Sequence, residues 1–189
     1  MAGIVGLTEL QHTNGTNAMT INSAGAVAFG NTHNLQFFRI NSDLTSATSA
    51  TLVTNYTDAH DSYGFKRVGS AWSVSSGVFT PSAAGLYEIT LVACLRATSN
   101  NRYIQFNLMF STNSGGSFTT DTMYTHSAHL NSGTTYSTVT FPRYYNVTDA
   151  STFRFKLQWL AEGTNITLAG TDTQNNESAF VFKRLADAQ

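Results

Sequence analysis

The chain has 189 residues, enough for one domain with a sizeable core and a short appendage. Only 11% of its residues are charged, against about 25% in typical soluble domains, and its net charge is −1. The absence of a basic run argues against nucleic-acid binding, which depends on neutralising phosphates. Repulsion between like charges helps to keep proteins monomeric, and it is weak in a chain with so few charges. We therefore expect neighbouring subunits to cover much of the surface.

The first 34 residues differ from the rest of the chain. They are rich in Gly, Ala and Asn and carry one short apolar alternation, at Met19 and Ile21. Such a segment cannot bury enough apolar surface to fold alone. We therefore expect an extended arm over 1–34, which becomes ordered against a partner, and a folded domain over 35–189.

Signals for secretion, membrane insertion and disulfide formation are missing from the sequence. The start of the chain lacks the basic and long apolar regions of a secretory signal. No apolar run approaches the roughly 20 residues that a membrane helix needs, so we expect no membrane partner. Cys94 is the one cysteine, which excludes an intrachain disulfide, and we expect it to be a small buried apolar residue.

From residue 35 onward, apolar and polar residues alternate with a period of two, which is typical of strands with one face on a core. Clusters of Gly, Asn, Asp and Ser, which reverse a chain, separate the alternating rows. The rows lie at Tyr87–Leu95, Ile104–Phe110, Val139–Phe141, Phe153–Trp159 and Phe180–Phe182. Strands and turns in this order predict an antiparallel sandwich or barrel.

The segment "LQFFRI" at 35–40 departs from the simple alternation. Leu35 and Phe37 lie on one face of the predicted strand, and Phe38 and Ile40 lie on the other. A strand in a lone sandwich usually keeps one face in contact with water. We therefore expect the second apolar face to be buried against another subunit.

The stretch "GVFTPSAAGLYEITLVACL" at 77–95 predicts a short strand, a corner and a long strand. Pro81 removes a hydrogen-bond donor and fixes φ, so the short strand ends at Thr80. Gly85 allows the chain to turn tightly into the next strand, where Tyr87 begins the apolar row.

This stretch resembles the C1q/TNF-like jelly roll, which carries a similar Gly-x-Phe-Thr-x-Pro-x-x-Gly-x-Tyr run. The segment "SAFVFKRL" at 178–185 is similar to the last strand of that family. The resemblance implies an all-β, antiparallel jelly-roll sandwich. The residues that carry the fold motif are Gly77, Phe79, Pro81, Gly85 and Tyr87. The long loop at 111–135 departs from the family pattern, because its strands have no clear register.

The same resemblance implies a compact homotrimer around a threefold axis, with aromatic residues packed at that axis. A trimer agrees with the two-faced strand at 35–40 and with the scarcity of charge. The expected trimer interface consists of Leu35, Phe37, Phe38, Ile40, Tyr87, Phe180 and Phe182. For Tyr87, the alternative is that it packs only inside its own sandwich.

The arm sequence "LTELQHTNGTNAMTINSAGAV" is similar to the openings of many tailed-bacteriophage virion proteins, in which such a segment precedes a C1q-like domain. This implies a virion protein, assembled in the host cytoplasm, whose arm binds the major capsid protein or another virion protein. The expected shell-anchoring residues are Ile4, Leu7, Leu10, Met19 and Ile21.

Residues with catalytic or metal-binding chemistry form no recognisable motif. His126 and His129 are three apart and would point to opposite faces of a strand, so they cannot bind one metal together. Asp58, His60 and Asp61 could hold a divalent cation, but few oxygen ligands are present and a polar turn is the alternative. No nucleophile elbow, phosphate loop or pair of carboxylates stands out. We therefore predict no enzyme, no cofactor and no metal.

Aromatic residues near predicted strand ends or loops are the remaining functional signal. Such rings hold sugars or form protein interfaces, and ordinary packing is the alternative. They are Trp72, Tyr124, Tyr136, Tyr144 and Tyr145.

The sequence therefore favours a trimeric capsid decoration or cement protein of a tailed phage, anchored to the shell by its arm. The alternative is the tip of a head or tail fibre that binds a host cell-surface glycan through loops near 111–135 and 163–178. A soluble C1q-like lectin or cytokine-like ligand is a third reading, which the missing secretory signal and missing disulfides oppose.

Overall fold

The computed structural model describes residues 9–11, 17–21, 27–29, 34–45, 47–58, 67–69, 72–99, 103–125, 134–171 and 177–189. The regular secondary structure in these ranges consists of β-strands, without a helix. The chain divides into two compact units, Met1–Thr32 and His33–Gln189.

The first unit contains a small antiparallel sheet, although its composition predicts only an extended arm. Its strands are β1 (Glu9–Gln11), β2 (Asn17–Ile21) and β3 (Val27–Phe29), in the order β1-β2-β3. Leu10 pairs with Met19, and Ile21 pairs with Val27. Three of the expected anchoring residues therefore lie in strands, and Ile4 and Leu7 lie outside the described residues.

The second unit is a sandwich of two antiparallel sheets. The larger sheet consists of β4 (Leu35–Ile40), β5 (Leu44–Thr45), β7 (Tyr56–Asp58), β8 (Arg67–Val68), β11 (Gly85–Ala97), β14 (Thr135–Val147), β16 (Ile166–Leu168) and β17 (Ala179–Ala186). The smaller sheet consists of β6 (Thr51–Leu52), β9 (Ser73–Ser75), β10 (Val78–Thr80), β12 (Ile104–Ser111), β13 (Thr119–Thr125) and β15 (Arg154–Ala161).

Strand β11 organises the larger sheet. One edge of β11 pairs with β14 along its whole length, and the other edge pairs with β17 and β16. Strand β17 then pairs with β4, which continues to β7 and β8. In the smaller sheet the order is β13-β12-β15-β10-β9, and β6 also pairs with β15. The predicted antiparallel jelly-roll sandwich is confirmed.

Aromatic rings from both sheets fill the space between them. The ring of Phe79 lies 5.1 Å from that of Phe38 and 5.0 Å from that of Phe182, both in the larger sheet. Phe155 lies 5.4 Å from Phe180, with the rings edge to face. Such contacts add to the free energy of apolar burial and lock the two sheets together.

The corner at 76–87 has the geometry that its residues dictate. Ser76 and Gly77 both have positive φ, at 48° and 79°, and link β9 to β10 as a two-residue hairpin turn. A Cβ at Gly77 would collide with the carbonyl oxygen of Val53. Strand β10 ends just before Pro81, and the Tyr87 hydroxyl donates to the Ala83 carbonyl at 2.9 Å. The motif residues thus form the turn and corner that join the two sheets.

Strand β13 lies inside the stretch for which the sequence offers a long loop. It pairs with β12 from Ile104–Thr125 to Phe110–Thr119. The strand is mostly threonine, and among its residues with described side chains only Met123 is buried, so it shows no apolar alternation. Its position follows from its pairing partner, which the sequence does not reveal.

Candidate interaction surface

One side of the larger sheet faces the sandwich core, and we name the opposite side the outward face. Neighbouring side chains on a strand alternate between sides, and paired residues share a side, so the register defines this surface. The outward face consists of Leu35, Phe37, Leu86, Glu88, Thr90, Val92, Cys94, Arg96, Tyr136, Thr138, Thr140, Pro142, Tyr144, Val181 and Lys183.

The middle of the outward face is a continuous uncharged strip. Phe37, Val181, Thr90 and Pro142 are in register across four adjacent strands. Val92 follows on β11, paired with Thr140. Burial of its apolar side chains is favourable, and its threonines can keep a hydrogen bond when covered, so the strip is suited to burial against another surface.

The large apolar side chains that stay exposed in the described chain gather on the same side. Tyr136 is 69% exposed and Tyr144 is 62% exposed. Val68 is 50% exposed and pairs with Leu35, which places it on the extension of the outward face along β8. The fourth such residue, Leu185, follows Lys183 by two positions on β17, where the register shifts. Exposed apolar side chains grouped on one side mark an interaction surface.

The outward side of the smaller sheet is built differently. Asn107 is buried there, and its Oδ1 accepts hydrogen bonds from the Gln105 amide at 2.7 Å and the Thr122 hydroxyl at 3.0 Å. The Lys156 ammonium lies 3.7 Å from the centre of the Phe118 ring. The polar groups named here are thus satisfied within the chain.

The structure separates the residues expected at a trimer interface into two groups. Five of them fill the core of their own sandwich and are at most 3% exposed, so their side chains are not available to a second subunit: Phe38, Ile40, Tyr87, Phe180 and Phe182. Leu35 and Phe37 lie half-buried on the outward face. Of the seven residues that the sequence places at a trimer interface, Leu35 and Phe37 are the two with side chains open to another subunit. Their role in an interface stays a prediction.

The aromatic residues expected near loops also separate. Trp72 is buried, its backbone N–H donates to Gln36 Oε1 at 2.6 Å, and its carbonyl accepts from Gln36 Nε2. Tyr145 is buried beside Phe110, and desolvation of its hydroxyl raises the pKa above the ordinary value. The side chain of Tyr124 lies outside the described residues. Tyr136 and Tyr144 are therefore the exposed members of the set, and both lie on β14 of the outward face.

Cys94 is half-exposed on the outward face, which corrects the expectation of a buried thiol. It lies on the same side of β11 as Thr90 and Val92, and its paired neighbour on β14 is Thr138. The core positions of this strand are the alternate residues, such as Ala93 and Leu95.

Neither a metal-binding cluster nor a membrane-spanning helix occurs in the described ranges. No group of three or more His, Cys, Asp and Glu side chains is placed there to hold a metal ion. All five histidines and Asp61 lie outside those ranges, so Asp58 is the one member of the expected cation site that is described. Within the same residues, no helix has the length and apolar character needed to cross a bilayer.

Solved structures with a similar fold include crystal structures of murine APRIL. The structure at pH 8.0 has 9% sequence identity and a TM-score of 0.52, covering 81% of this chain and 99% of that chain. The structure at pH 5.0 has 10% identity and the same TM-score and coverage. The chain has a TNF/C1q-like jelly-roll fold. At this identity the likeness shows the fold alone. No protein-family model matches the sequence, and no curated protein sequence matches it.

Proposed function

We propose that the protein is a structural component of a tailed-phage virion: a homotrimer that decorates or cements the capsid, assembled in the host cytoplasm. Residues 1–34 bind the major capsid protein or another virion protein, and the jelly-roll domain forms the trimer. The observation that carries the self-association is the outward face, where large apolar side chains stay exposed on a chain with only 11% charged residues. The virion context is supported by the similarity of the arm sequence to phage virion proteins.

Subunit contact through the outward face suits a protein whose task is mechanical. Stable interfaces bury on the order of 1,200–2,000 Å² in total, with aromatic residues enriched in the buried centre. Tyr136 and Tyr144 supply large apolar area, and Val92 and Val181 lose no hydrogen bond on burial. A trimer that binds the assembled shell and not its separated subunits stabilises the assembled state by mass action.

The alternative, a fibre tip that binds a glycan, receives less support from the described loops. Asn113 in the loop after β12 accepts a hydrogen bond from Ser111, the last residue of β12, at 2.7 Å and donates one to Ser117 of the loop at 3.0 Å. Its polar groups thus satisfy one another. The exposed tyrosines lie on the sheet, away from this loop.

The first experiment measures the mass of the full-length protein by sedimentation velocity. We expect a species of three times 20.5 kDa for the wild type. Val92→Lys places a charge in the apolar strip, so we expect it to shift the protein to monomer. The matched change Gln158→Lys, on the outward side of the smaller sheet, leaves the trimer intact. A wild type that stays monomeric at all concentrations contradicts the proposal.

The virion role is tested by purifying phage particles from cells that produce the protein and counting its copies by quantitative mass spectrometry. A cement protein is present in hundreds of copies at a fixed ratio to the major capsid protein. A handful of copies, together with binding to a glycan array, would replace this proposal by the fibre tip. Absence from particles would remove both.

A further inference from the structure

Two opposite charges lie side by side on the outward face, next to its uncharged strip. Glu88 on β11 and Lys183 on β17 are directly paired in the register of the two strands. Leu35 and Tyr144 flank them in the same row, on β4 and β14. Lys183 is exposed and Glu88 is half-exposed.

These two charges take no part in the ion pairs of the described chain. Those ion pairs join Arg96 to Asp43, Arg143 to Asp121, and Arg184 to Asp187. The hydrogen bond recorded for the Glu88 side chain comes from the Thr90 hydroxyl at a long 3.3 Å.

Arg39, at the edge of the same side, shows what an internally satisfied charge looks like in this fold. It is buried and donates to the carbonyl oxygens of Asp58 and Thr171. Glu88 and Lys183 have no comparable set of partners in the described ranges, so their charges are available to whatever covers the sheet.

The identity of the covering surface follows from the cost of burying charge. A partner that covers the outward face with apolar groups alone would leave Glu88 and Lys183 only each other, and desolvating such a charge pair costs more than its attraction returns unless further groups bond to it. A covering surface that carries a cation for Glu88 and an anion for Lys183 reduces this cost. A second copy of this chain carries both.

We propose that Glu88 of one copy pairs with Lys183 of the neighbouring copy across the subunit contact, and that this pair sets the register of the contact. The proposal rests on the trimer of the proposed function. In a closed ring each copy gives Glu88 to one neighbour and Lys183 to the other, as a head-to-tail interface requires, so the row that holds these residues lies at the axis where the three copies meet. The uncharged strip supplies contact area but tolerates sliding of one copy along the other. A charge pair, in contrast, penalises every other alignment of the two copies.

The test compares Glu88→Lys and Lys183→Glu separately, as the double variant, and as an equimolar mixture of the two single variants. Each single change brings like charges together at every contact, so we expect the dissociation constant of the trimer to rise by about tenfold or more. The double variant restores opposite charges at every contact and should regain the wild-type mass.

The mixture distinguishes a pair between copies from a pair within one chain. In a mixed ring, the two lysines of one variant meet the two glutamates of the other at two of the three contacts. We therefore expect native mass spectrometry to show trimers with a two-to-one composition, at concentrations where each variant alone is monomeric. A pair confined to one chain would be restored in the double variant and not in the mixture.

Lys156→Glu, the same charge reversal on the smaller sheet, serves as the matched control and should leave the mass unchanged. Far-UV circular dichroism confirms that each variant is folded. A trimeric wild type with single variants that assemble normally, or with a mixture that forms no mixed trimers, overturns this inference and leaves the proposed function in place. A monomeric wild type overturns the proposed function itself.

Discussion

The two sheets of the sandwich bury similar aromatic inner faces but complete their outer sides in different ways. The smaller sheet covers itself with polar groups that bond to one another, centred on Asn107. The outward face of the larger sheet presents Tyr136, Tyr144 and an uncharged strip, and Glu88 and Lys183 form no ion pair with any residue that the structure describes. One side of the domain is thus finished as a monomer surface, and the other has the composition of a surface awaiting a partner.

The largest difference in the free energy of unfolding should be between substitutions on the two sides of one strand. Phe182→Ala on the core side of β17 removes a ring packed against Phe79 and Trp72, so we expect a loss of about 3–5 kcal/mol in the free energy of unfolding. Val181→Ala, the adjacent change on the outward face, should cost less than about 1 kcal/mol. Urea unfolding in the Val92→Lys background measures both without a contribution from assembly. Equal losses would show that the two sides are equally buried within the chain.

A smaller effect should distinguish the outer sides of the two sheets. Asn107→Ala leaves the Gln105 amide and the Thr122 hydroxyl without their acceptor, so we expect a loss of about 1–3 kcal/mol in the free energy of unfolding. The mass of the assembled protein in solution should not change. Thr140→Ala on the outward face should change the unfolding free energy by less than about 0.5 kcal/mol. Thermal denaturation and sedimentation of the two variants check this, and a neutral Asn107→Ala would mean that the polar network does not stabilise the smaller sheet.

The smallest effect should come from the link between the two sheets at their β13–β14 edge. Arg143 Nε donates to Asp121 Oδ2 at 2.7 Å, and both side chains are partly exposed. Asp121→Asn should lower the unfolding free energy by about 0–1 kcal/mol. Repeating the measurement in 1 M salt should shrink the difference further, because screening weakens exposed pairs. A larger, salt-independent loss would show that the edge is closed by more than this ion pair.

The fold was predictable because its signals are local. Alternation with a period of two identifies β11, β12 and β15, and the Pro81 corner marks where β10 ends. A local pattern also states which residues of a strand share a side. The core positions of β11 and β15 therefore follow directly from the sequence.

The candidate surface was harder to predict, because alternation does not say which of two apolar sides faces the chain's own core. In β4, Phe37 and Phe38 are the same residue type but lie on opposite sides of the strand. Only the pairing of β4 with β17 decides which of them is buried. Trp72 and Tyr145 are buried by rings from strands far away in sequence. The pairing of Glu88 with Lys183 joins positions 95 residues apart, so no sequence window contains both.

Pro142 lies near the middle of β14, on a strand whose recorded partner among the described residues is β11 alone. A proline can occupy a continuous antiparallel ladder only where its nitrogen points away from the partner strand, so the missing donor falls on the opposite edge. That edge would otherwise offer a long template to any extended chain. This one residue thus interrupts backbone pairing along the longest strand edge of the larger sheet, so association at β14 depends on side-chain contacts.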